Sequence, residues 1–290
     1  MRKALRWIIF ITALLTVWVF WEAHRSATTL ITTRYEVPEP VEHEIRIAVL
    51  SDLHNYTFGG HNDKLIGAIR KEKPDLIFMI GDMLNEDEED TSVMTECIRE
   101  CTKIAPVYFS YGNHEKKWEN TFDKSISSVA EPAGAVVLDL DYKDIEVNGE
   151  ELRIAGYYGW YRAIIAISDP LRKKQEAAFF DDFEDSDRMK LLLCHVPVAF
   201  LDWEHRDEYE AGLAFCGHYH GGQIRLPHIG GLRAPNVGFF PRYTKGFFDG
   251  EGTDVVLTTG LGNNHKVPRL NNPGELVIVD LKPKTKESEK

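Results

Sequence analysis

Residue types that bind divalent metal ions recur in this sequence directly after short apolar runs. Asp52 and His54 follow the apolar run Ile45–Leu50, and Asp82 follows the run Leu76–Ile80. Carboxylate, amide oxygen and neutral imidazole together suit Mn²⁺, Fe²⁺ or Zn²⁺ better than Ca²⁺, which takes oxygen ligands. The pattern therefore predicts a site for borderline divalent ions. Later runs are followed in the same way by Asn113, His114, His195, His218 and His220.

Each of these motifs is weak evidence when it is taken alone. Asp52-x-His54 is also compatible with a turn that carries a surface histidine, and Gly81-Asp82 with an ordinary strand-to-loop corner. Taken together they are strong, because ligands in open α/β folds bind beyond the carboxyl ends of the strands. Two metal ions about 3.5–4 Å apart need a ligand that contacts both, and a carboxylate has two oxygens for this purpose. We therefore expect the five loops to converge on one two-metal site.

The apolar runs also predict the strands that position these loops. The runs cover residues 45–50, 76–80, 107–109, 191–193 and 213–215, and polar residues follow each of them. Alternation with helical patterns predicts an α/β architecture. The number of strand-like segments fits two packed sheets better than one. The helical patterns span 64–71 and 92–103, and the further strand-like segments are 135–140, 144–147, 152–156, 255–258 and 276–281.

Composition and charge limit the classes of function that are open to this chain. Its 290 residues are 43% hydrophobic and 11% aromatic, which is typical of a folded protein with one large core. The formal net charge of -12 provides no basic surface for a polyanion, so we expect no nucleic-acid partner. The four cysteines form no CxxC motif and no disulfide framework, which predicts buried free thiols.

The N-terminus has the pattern of a membrane anchor. Arg2, Lys3 and Arg6 precede an uncharged run over residues 7–21, which its apolar flanks extend towards the length of a spanning helix. Positive residues before the run predict a cytoplasmic N-terminus and an extracytoplasmic domain. A cleavable signal peptide is the main alternative, although no small-x-small site follows the run. A helix lying flat in the interface would instead leave the domain in the cytoplasm.

These patterns divide the chain into four segments. We predict an anchor over 1–23, a stalk or linker over 24–43 with a possible edge strand at 31–37, and a catalytic domain over 44–282. The polar residues 283–290 have no periodicity and predict a disordered tail.

The motifs in their order resemble the calcineurin-like metallophosphoesterase superfamily, which has D-x-H, G-D, G-N-H-[E/D], H and G-H-x-H. All five are present here, within a resemblance that covers residues 45–281. The resemblance implies an αββα fold, in which helices flank a sandwich of two sheets. It implies hydrolysis of a phosphoester with two divalent ions, which would be Mn²⁺, Fe²⁺ or Zn²⁺ with Mn²⁺ favoured.

The same resemblance implies a role for each motif residue. Asp82 would bridge the two ions, and a water between the ions would be the attacking nucleophile. His114 would be the catalytic residue that faces the leaving oxygen, and Glu115 would orient the loop. The remaining ligands would be Asp52, His54 and His220 for one ion, and Asn113, His195 and His218 for the other.

Within the superfamily, the stretch from Gly217 to Gln223 resembles a membrane-associated bacterial branch, although Tyr219 replaces the threonine usual there. We therefore expect a membrane-anchored phosphodiesterase or pyrophosphatase that acts on a lipid-linked or cell-envelope phosphoester. One alternative is a UDP-2,3-diacylglucosamine-type pyrophosphatase at the cytoplasmic face. The other is a non-catalytic metal-binding scaffold.

Two weaker features remain open. His265 and Arg269 follow a glycine- and asparagine-rich turn, where they would bind a phosphate oxygen or only occupy a loop. Four aromatic residues surround Arg242 and Lys245, and they would either pack in the core or contact lipid. These are Phe239, Phe240, Phe247 and Phe248.

Overall fold

The computed structural model describes residues 2–159, 170–201, 210–250, 252–263 and 267–284. Within them the helices are α1 (Arg2–Thr28), α2 (Asp63–Glu72), α3 (Ser92–Thr102), α4 (Asn113–Phe122), α5 (Ser127–Ala130), α6 (Pro170–Glu184) and α7 (Val198–Leu201). The strands are β1 (Leu30–Glu39), β2 (Ile45–Leu50), β3 (Leu76–Ile80), β4 (Val107–Ser110), β5 (Val136–Leu138), β6 (Asp141–Val147), β7 (Glu150–Tyr157), β8 (Met189–Cys194), β9 (Gly212–Cys216), β10 (Arg225–Leu226), β11 (Gly230–Gly231), β12 (Arg233–Ala234), β13 (Gly238–Phe239), β14 (Gly246–Phe248), β15 (Thr253–Leu257) and β16 (Gly274–Pro283).

Twelve of these strands form two six-stranded sheets. The first has the order β1-β16-β2-β3-β4-β5, in which β2 to β5 run parallel. The second has the order β14-β15-β9-β8-β7-β6, in which β15, β9, β8 and β7 run parallel. Parallel strands end at the same edge of their sheet, so the loops after β2, β3 and β4 emerge together, and those after β8 and β9 do the same.

The two sheets pack face to face between two layers of helices. Strand β2 shows the arrangement, because Ile45, Ile47 and Val49 contact the core between the sheets while Ala48 and Leu50 contact the core under the helices. Alternate residues of a strand point to opposite faces, and both faces of β2 are covered, which accounts for its continuous apolar run. A third core joins the outer face of the second sheet to α6 and α7. The predicted αββα fold is confirmed.

The N-terminal segment continues directly into the sandwich. Helix α1 is long and apolar enough to cross a membrane, a property that signal sequences share. Residues 24–43, for which we predict a stalk, form the end of α1 and strand β1. Strand β1 pairs in parallel with β16 along its whole length, from Leu30 beside Gly274 to Glu39 beside Pro283. Of the predicted tail, residues 285–290 lie outside the described part of the chain.

Candidate metal centre

The predicted site residues converge where the ends of the parallel strands meet. Asp52 and His54 follow β2, Asp82 follows β3, and Asn113 and His114 begin α4 directly after β4. The second sheet contributes the other three, because His195 follows β8 while His218 and His220 follow β9. The loops are joined by backbone hydrogen bonds, including those from Asp52 N–H to Gly81 O and from His54 N–H to Asp82 O.

Side-chain geometry divides these residues into overlapping groups. In one group, a carboxylate oxygen of Asp52 and ring nitrogens of His54 and His220 lie within 4.8 Å of one another. A second group brings together Asp82, His195 and His218 within the same limit. A third joins Asp82 to His54 and His114. Asp82 therefore belongs to two of the three groups, which is the geometry that a shared carboxylate requires.

Several buried polar atoms of the centre lack partners within the protein. Among the described residues, Oδ1 of Asn113 and both ring nitrogens of His54 are buried without a hydrogen bond. Such atoms cost free energy unless a donor, a water molecule or an ion satisfies them. An amide oxygen and neutral imidazole nitrogens are ligands for divalent metal ions, so the donor set fits the ions that the family implies.

Burial keeps three of the histidines neutral. It lowers the pKa of His54, of His218 and of His220 from 6.5 to about 3. For His220 the nearby positive charge of Arg269 lowers the pKa further. A neutral imidazole has a free lone pair at neutral pH, which is the state in which histidine binds a metal ion.

His195 and Asp82 form a close pair at the centre. Nδ1 of His195 lies 2.7 Å from the carbonyl oxygen of Ile80, so this nitrogen donates a proton, and Nε2 lies 3.1 Å from Oδ2 of Asp82. Burial alone would lower the pKa of His195, but the adjacent Asp82 carboxylate raises it to about 10. The space between Nε2 of His195 and Oδ2 of Asp82 therefore favours one positive ion, which can be a proton or a metal ion.

Glu115 holds the loop that presents Asp82. Its carboxylate accepts hydrogen bonds from the backbone N–H groups of Asp82 at 2.7 Å, of Met83 at 2.8 Å and of Gly112 at 2.8 Å. Asp82 in turn accepts a hydrogen bond from the His114 N–H at 2.8 Å through Oδ1. A side chain at Gly112 would lie 2.2 Å from this oxygen, so only glycine fits there.

The orientation of His114 fixes the position of its proton. The backbone N–H of Glu86 donates to Nδ1 of His114 at 3.2 Å, so the neutral ring carries its proton on Nε2. Nε2 lies 3.9 Å from Oδ2 of Asp82, and the ring stands edge-on to His54 with centroids 4.5 Å apart. His114 therefore presents a proton donor to the centre.

Asn272 and Asn236 contact His220 and His218 in the loop after β9, which we call the histidine loop, and the sequence does not single out either asparagine. The side-chain amide of Asn272 donates to the carbonyl oxygen of His220 at 2.7 Å, and that of Asn236 lies 3.0 Å from Nε2 of His218. Asn236 lies in the turn between β12 and β13, and Asn272 lies shortly before β16; no local pattern distinguishes either of them from ordinary loop residues.

Arg269 has a structural role at the centre. It is buried, it donates to the carbonyl oxygens of Thr259 and Gly262, and its terminal nitrogen lies 3.3 Å from Nδ1 of His220. Its Nη1 is buried without a hydrogen bond, so binding of a phosphate oxygen by Arg269 stays a prediction. His265, which was considered with it, lies outside the described residues.

The backbone of the centre is unusual because several non-glycine residues have positive φ. The angle φ is 54° at Asp52, 50° at His54, 53° at Asp82, 68° at His218 and 46° at His220. Non-glycine residues seldom adopt this conformation, and it concentrates at functional sites where the surrounding structure enforces it. The backbone of these five residues is thus held in a strained conformation by the structure around it.

Comparison with known proteins identifies the family. The family model for calcineurin-like phosphoesterases matches residues 45–222, more than half of the chain, and this range contains all eight residues of the centre. The chain belongs to the calcineurin-like phosphoesterase family. It is a metal-dependent phosphoester hydrolase, and the centre described above provides its candidate metal-binding residues.

Similar proteins come from several bacteria. The Bacillus subtilis metallophosphoesterase YkuE is 26% identical over 274 residues, which are 90% of this chain and 87% of that protein. The Escherichia coli phosphodiesterase YaeI is 26% identical over 240 residues, which are 81% of this chain and 82% of that protein. A 5'-nucleotidase precursor from Thermus thermophilus is similar in structure with a TM-score of 0.48 and 15% identity, covering 82% of this chain and 54% of that one.

Proposed function

We propose that this protein is a membrane-anchored phosphodiesterase that uses two divalent metal ions to hydrolyse a lipid-linked or cell-envelope phosphoester. The observation that carries the proposal is the pair of buried ligand groups, Asp52 with His54 and His220, and Asp82 with His195 and His218. Two groups of this size around one crevice match the needs of two ions. Asn113, which the family resemblance assigns to the second ion, is half-buried and has an amide oxygen without a hydrogen bond.

The residues of the chain divide the chemical work between binding and proton transfer. When bound, the two ions would act as Lewis acids on the phosphoryl oxygens and would lower the pKa of the attacking water. Asp82 contributes negative charge at the point where the second group meets His54 of the first group and His114. His114 carries its proton on Nε2 at the same point, so it donates this proton to the departing oxygen or stabilises the charge that forms there.

Two considerations support a diester substrate at a membrane. The similar Escherichia coli protein is named a phosphodiesterase. Helix α1 has the length and hydropathy of a spanning helix, and its C-terminal end packs on the catalytic sandwich through Glu22 and Ser26, which are buried. A helix that makes these contacts and continues into a strand is better suited to remain attached than to be removed as a signal peptide.

Charge supports an extracytoplasmic catalytic domain. Arg2, Lys3 and Arg6 precede the apolar run of α1, and positive residues stay on the cytoplasmic side. Proteolysis of the domain in intact cells is the expected result. Proteolysis only after permeabilisation would contradict this orientation, and it would favour the alternative of a nucleotide-linked lipid pyrophosphatase at the cytoplasmic face.

The function is tested with the purified full-length protein in detergent. After removal of metal by chelation, addition of Mn²⁺ is expected to restore hydrolysis of bis(p-nitrophenyl) phosphate, with two ions bound per chain by elemental analysis. Hydrolysis that persists after complete metal removal would overturn the proposal. Binding of two ions without hydrolysis of any diester would support the alternative of a metal-binding scaffold.

A further inference from the structure

An apolar groove lies beside the metal centre. It has a volume of about 320 Å³, and His220 forms part of its wall. This volume is at the lower end of the range for ligand pockets, about 300–1,000 Å³, so the groove holds part of a larger molecule. Its other walls include Ile224, Leu232, Arg233, Phe239 and Val267.

Exposed apolar side chains lie on the two hairpins, β10–β11 and β12–β13, in the segment that supplies most of the groove-lining residues. Phe239 is 70% exposed and Phe240 is 61% exposed, and Ile229 at the turn between β10 and β11 is 65% exposed. With Val267 they account for all but one of the exposed large apolar residues outside α1 in the described part of the chain, the other being Leu171. We call Ile229, Phe239 and Phe240 the apolar rim. Large exposed apolar residues that are concentrated in one short segment mark a contact with a partner or a membrane.

The aromatic residues that the sequence left open therefore divide into two pairs. Phe247 packs against the core between the sheets, and Phe248 packs against the core of the outer helices. Phe239 and Phe240 have no such cover and remain exposed. Core packing accounts for the first pair and leaves the second pair without an explanation inside the domain.

Hydrogen bonds place the β10–β11 hairpin, which carries Ile229, beside the end of the uncharged run of α1. Glu22 follows directly on the uncharged run of α1, and it accepts a hydrogen bond from the Asn271 N–H at 2.9 Å. The side chain of Asn271 donates to the carbonyl oxygen of Arg225, the first residue of β10. The Arg225 N–H donates to the carbonyl oxygen of Leu270 at 3.0 Å. The segment that carries Ile229 is thus joined to the point where the apolar helix ends.

The charge of this region differs from that of the whole chain. Residues 217–248 contain four cationic residues and no aspartate or glutamate, although the chain as a whole has a net charge of -12. Arg225 and Lys245 bond within the domain, to Gly221 and Glu275. Arg233 is exposed at the wall of the groove. A cation next to exposed aromatic residues is the combination that binds anionic lipid surfaces.

We propose that the apolar rim enters the same bilayer that holds α1, and that the groove beside His220 receives the hydrocarbon part of a lipid phosphoester from that bilayer. The proposal rests on the proposed function for the reaction that follows. It adds the path by which the lipid substrate reaches the metal centre and the surface by which the domain contacts the bilayer. A lipid whose chain lies in the groove has its phosphoester beside His220. The side of the membrane does not matter for this contact.

Insertion of the rim is tested by spin labelling of the full chain in vesicles of phosphatidylcholine and phosphatidylglycerol. All four native cysteines are buried, so a nitroxide reagent will label an introduced surface cysteine selectively. At Phe240→Cys we expect a nitroxide that is accessible to oxygen and protected from a water-soluble nickel complex. The matched control is Leu171→Cys on α6, where nickel access is expected. Equal nickel access at positions 240 and 171 would overturn insertion, whether or not the protein hydrolyses any diester.

The route of the substrate is tested with two diesters that share a leaving group. One is soluble bis(p-nitrophenyl) phosphate, and the other is hexadecyl p-nitrophenyl phosphate dispersed in the same vesicles. For the combined variant Ile229→Ser, Phe239→Ser and Phe240→Ser, we expect the ratio of vesicle to soluble hydrolysis to fall about tenfold. The control Leu171→Ser is expected to keep the wild-type ratio.

The outcomes separate this inference from the function on which it rests. A ratio that stays at the wild-type value in the combined variant would overturn the groove as a lipid route, while the soluble assay would still support a phosphodiesterase. If the wild-type protein with Mn²⁺ hydrolyses neither diester, the proposed function fails, and the nitroxide measurement still decides whether the rim enters the bilayer. If the combined variant does not fold, the single variant Phe240→Ser replaces it.

Discussion

The carboxylate of Glu115 accepts a hydrogen bond of 2.7 Å from the backbone N–H of Asp82, the residue that two of the candidate ligand groups share. The neighbouring N–H of Met83 and the N–H of Gly112 donate to the same carboxylate. Three donors around one buried carboxyl group fix the position of the Asp82 loop before any metal ion binds. The centre is therefore preorganised by a residue that is not itself a candidate ligand.

Glu115→Gln tests this preorganisation. The glutamine amide would turn an N–H group towards at least one buried backbone N–H, and an unsatisfied buried donor costs about 1–3 kcal/mol. We expect a lower melting temperature and weaker metal binding, measured by thermal unfolding and by metal titration. Glu131→Gln on the surface is the matched control and should change neither. A Glu115→Gln protein with wild-type stability and metal content would show that the three hydrogen bonds are dispensable.

His114→Ala separates proton transfer from metal binding. Because His114 presents its Nε2 proton to the centre, its loss should lower kcat by about 100- to 10,000-fold while the metal content stays at the wild-type level. Asp82→Asn is the contrasting variant, since loss of the shared carboxylate should remove metal as well as activity. The measurements are steady-state hydrolysis of the chromogenic diester and elemental analysis. Loss of both ions from His114→Ala would mean that this histidine is a ligand.

Asn272→Ala tests the support of the histidine loop. Asn272 donates to the carbonyl oxygens of His220 and Gln223, at 2.7 and 3.2 Å. Without these bonds we expect the affinity for the ion of the Asp52 group to fall about 10- to 100-fold, as is usual when the residue that supports a ligand is lost. The neighbouring Asn271→Ala should leave metal affinity unchanged. Calorimetric titration with Mn²⁺ distinguishes the two variants, and identical titrations would refute the role of Asn272.

Glu39 gives the stability of the domain a dependence on pH. Burial in β1 raises its pKa from 4.5 to about 7. Between these values the folded state holds a proton that the unfolded state has released, so stability falls as pH rises through this window and the cost is complete above about pH 7. The shift corresponds to at most about 3 kcal/mol.

The matched variant is Glu39→Gln, which stays neutral in both states. We expect it to raise the melting temperature at pH 8 by roughly 5–10 °C and to have much less effect near pH 4.5. Thermal unfolding of both proteins in detergent at the two pH values measures this difference. An equal effect at both values would mean that the carboxyl of Glu39 does not titrate in this range.

The sequence predicts the strands and their loops well because the physical causes are local. The run Ile45–Leu50 is apolar since both of its faces are covered, and Asp52 follows it at the sheet edge where ligands bind. Asn272 and Asn236 could not be predicted, since each contacts a histidine from a different loop and only the folded structure brings these loops together. The sequence also could not show that Phe239 is exposed while Phe247 packs against the core, because this difference depends on which strands the sandwich covers.

A single residue, Thr29, separates the end of α1 from the start of β1, and its N–H donates to the carbonyl oxygen of Arg25. A flexible tether would allow a domain to range over a distance that grows with the length of the linker. Here a single residue joins the helix to the domain, so under the proposed anchoring the metal centre lies at one fixed distance from the bilayer. Its search for substrate is then two-dimensional, by lateral diffusion. Phosphoesters far out along a polymer must approach the membrane in order to be cleaved.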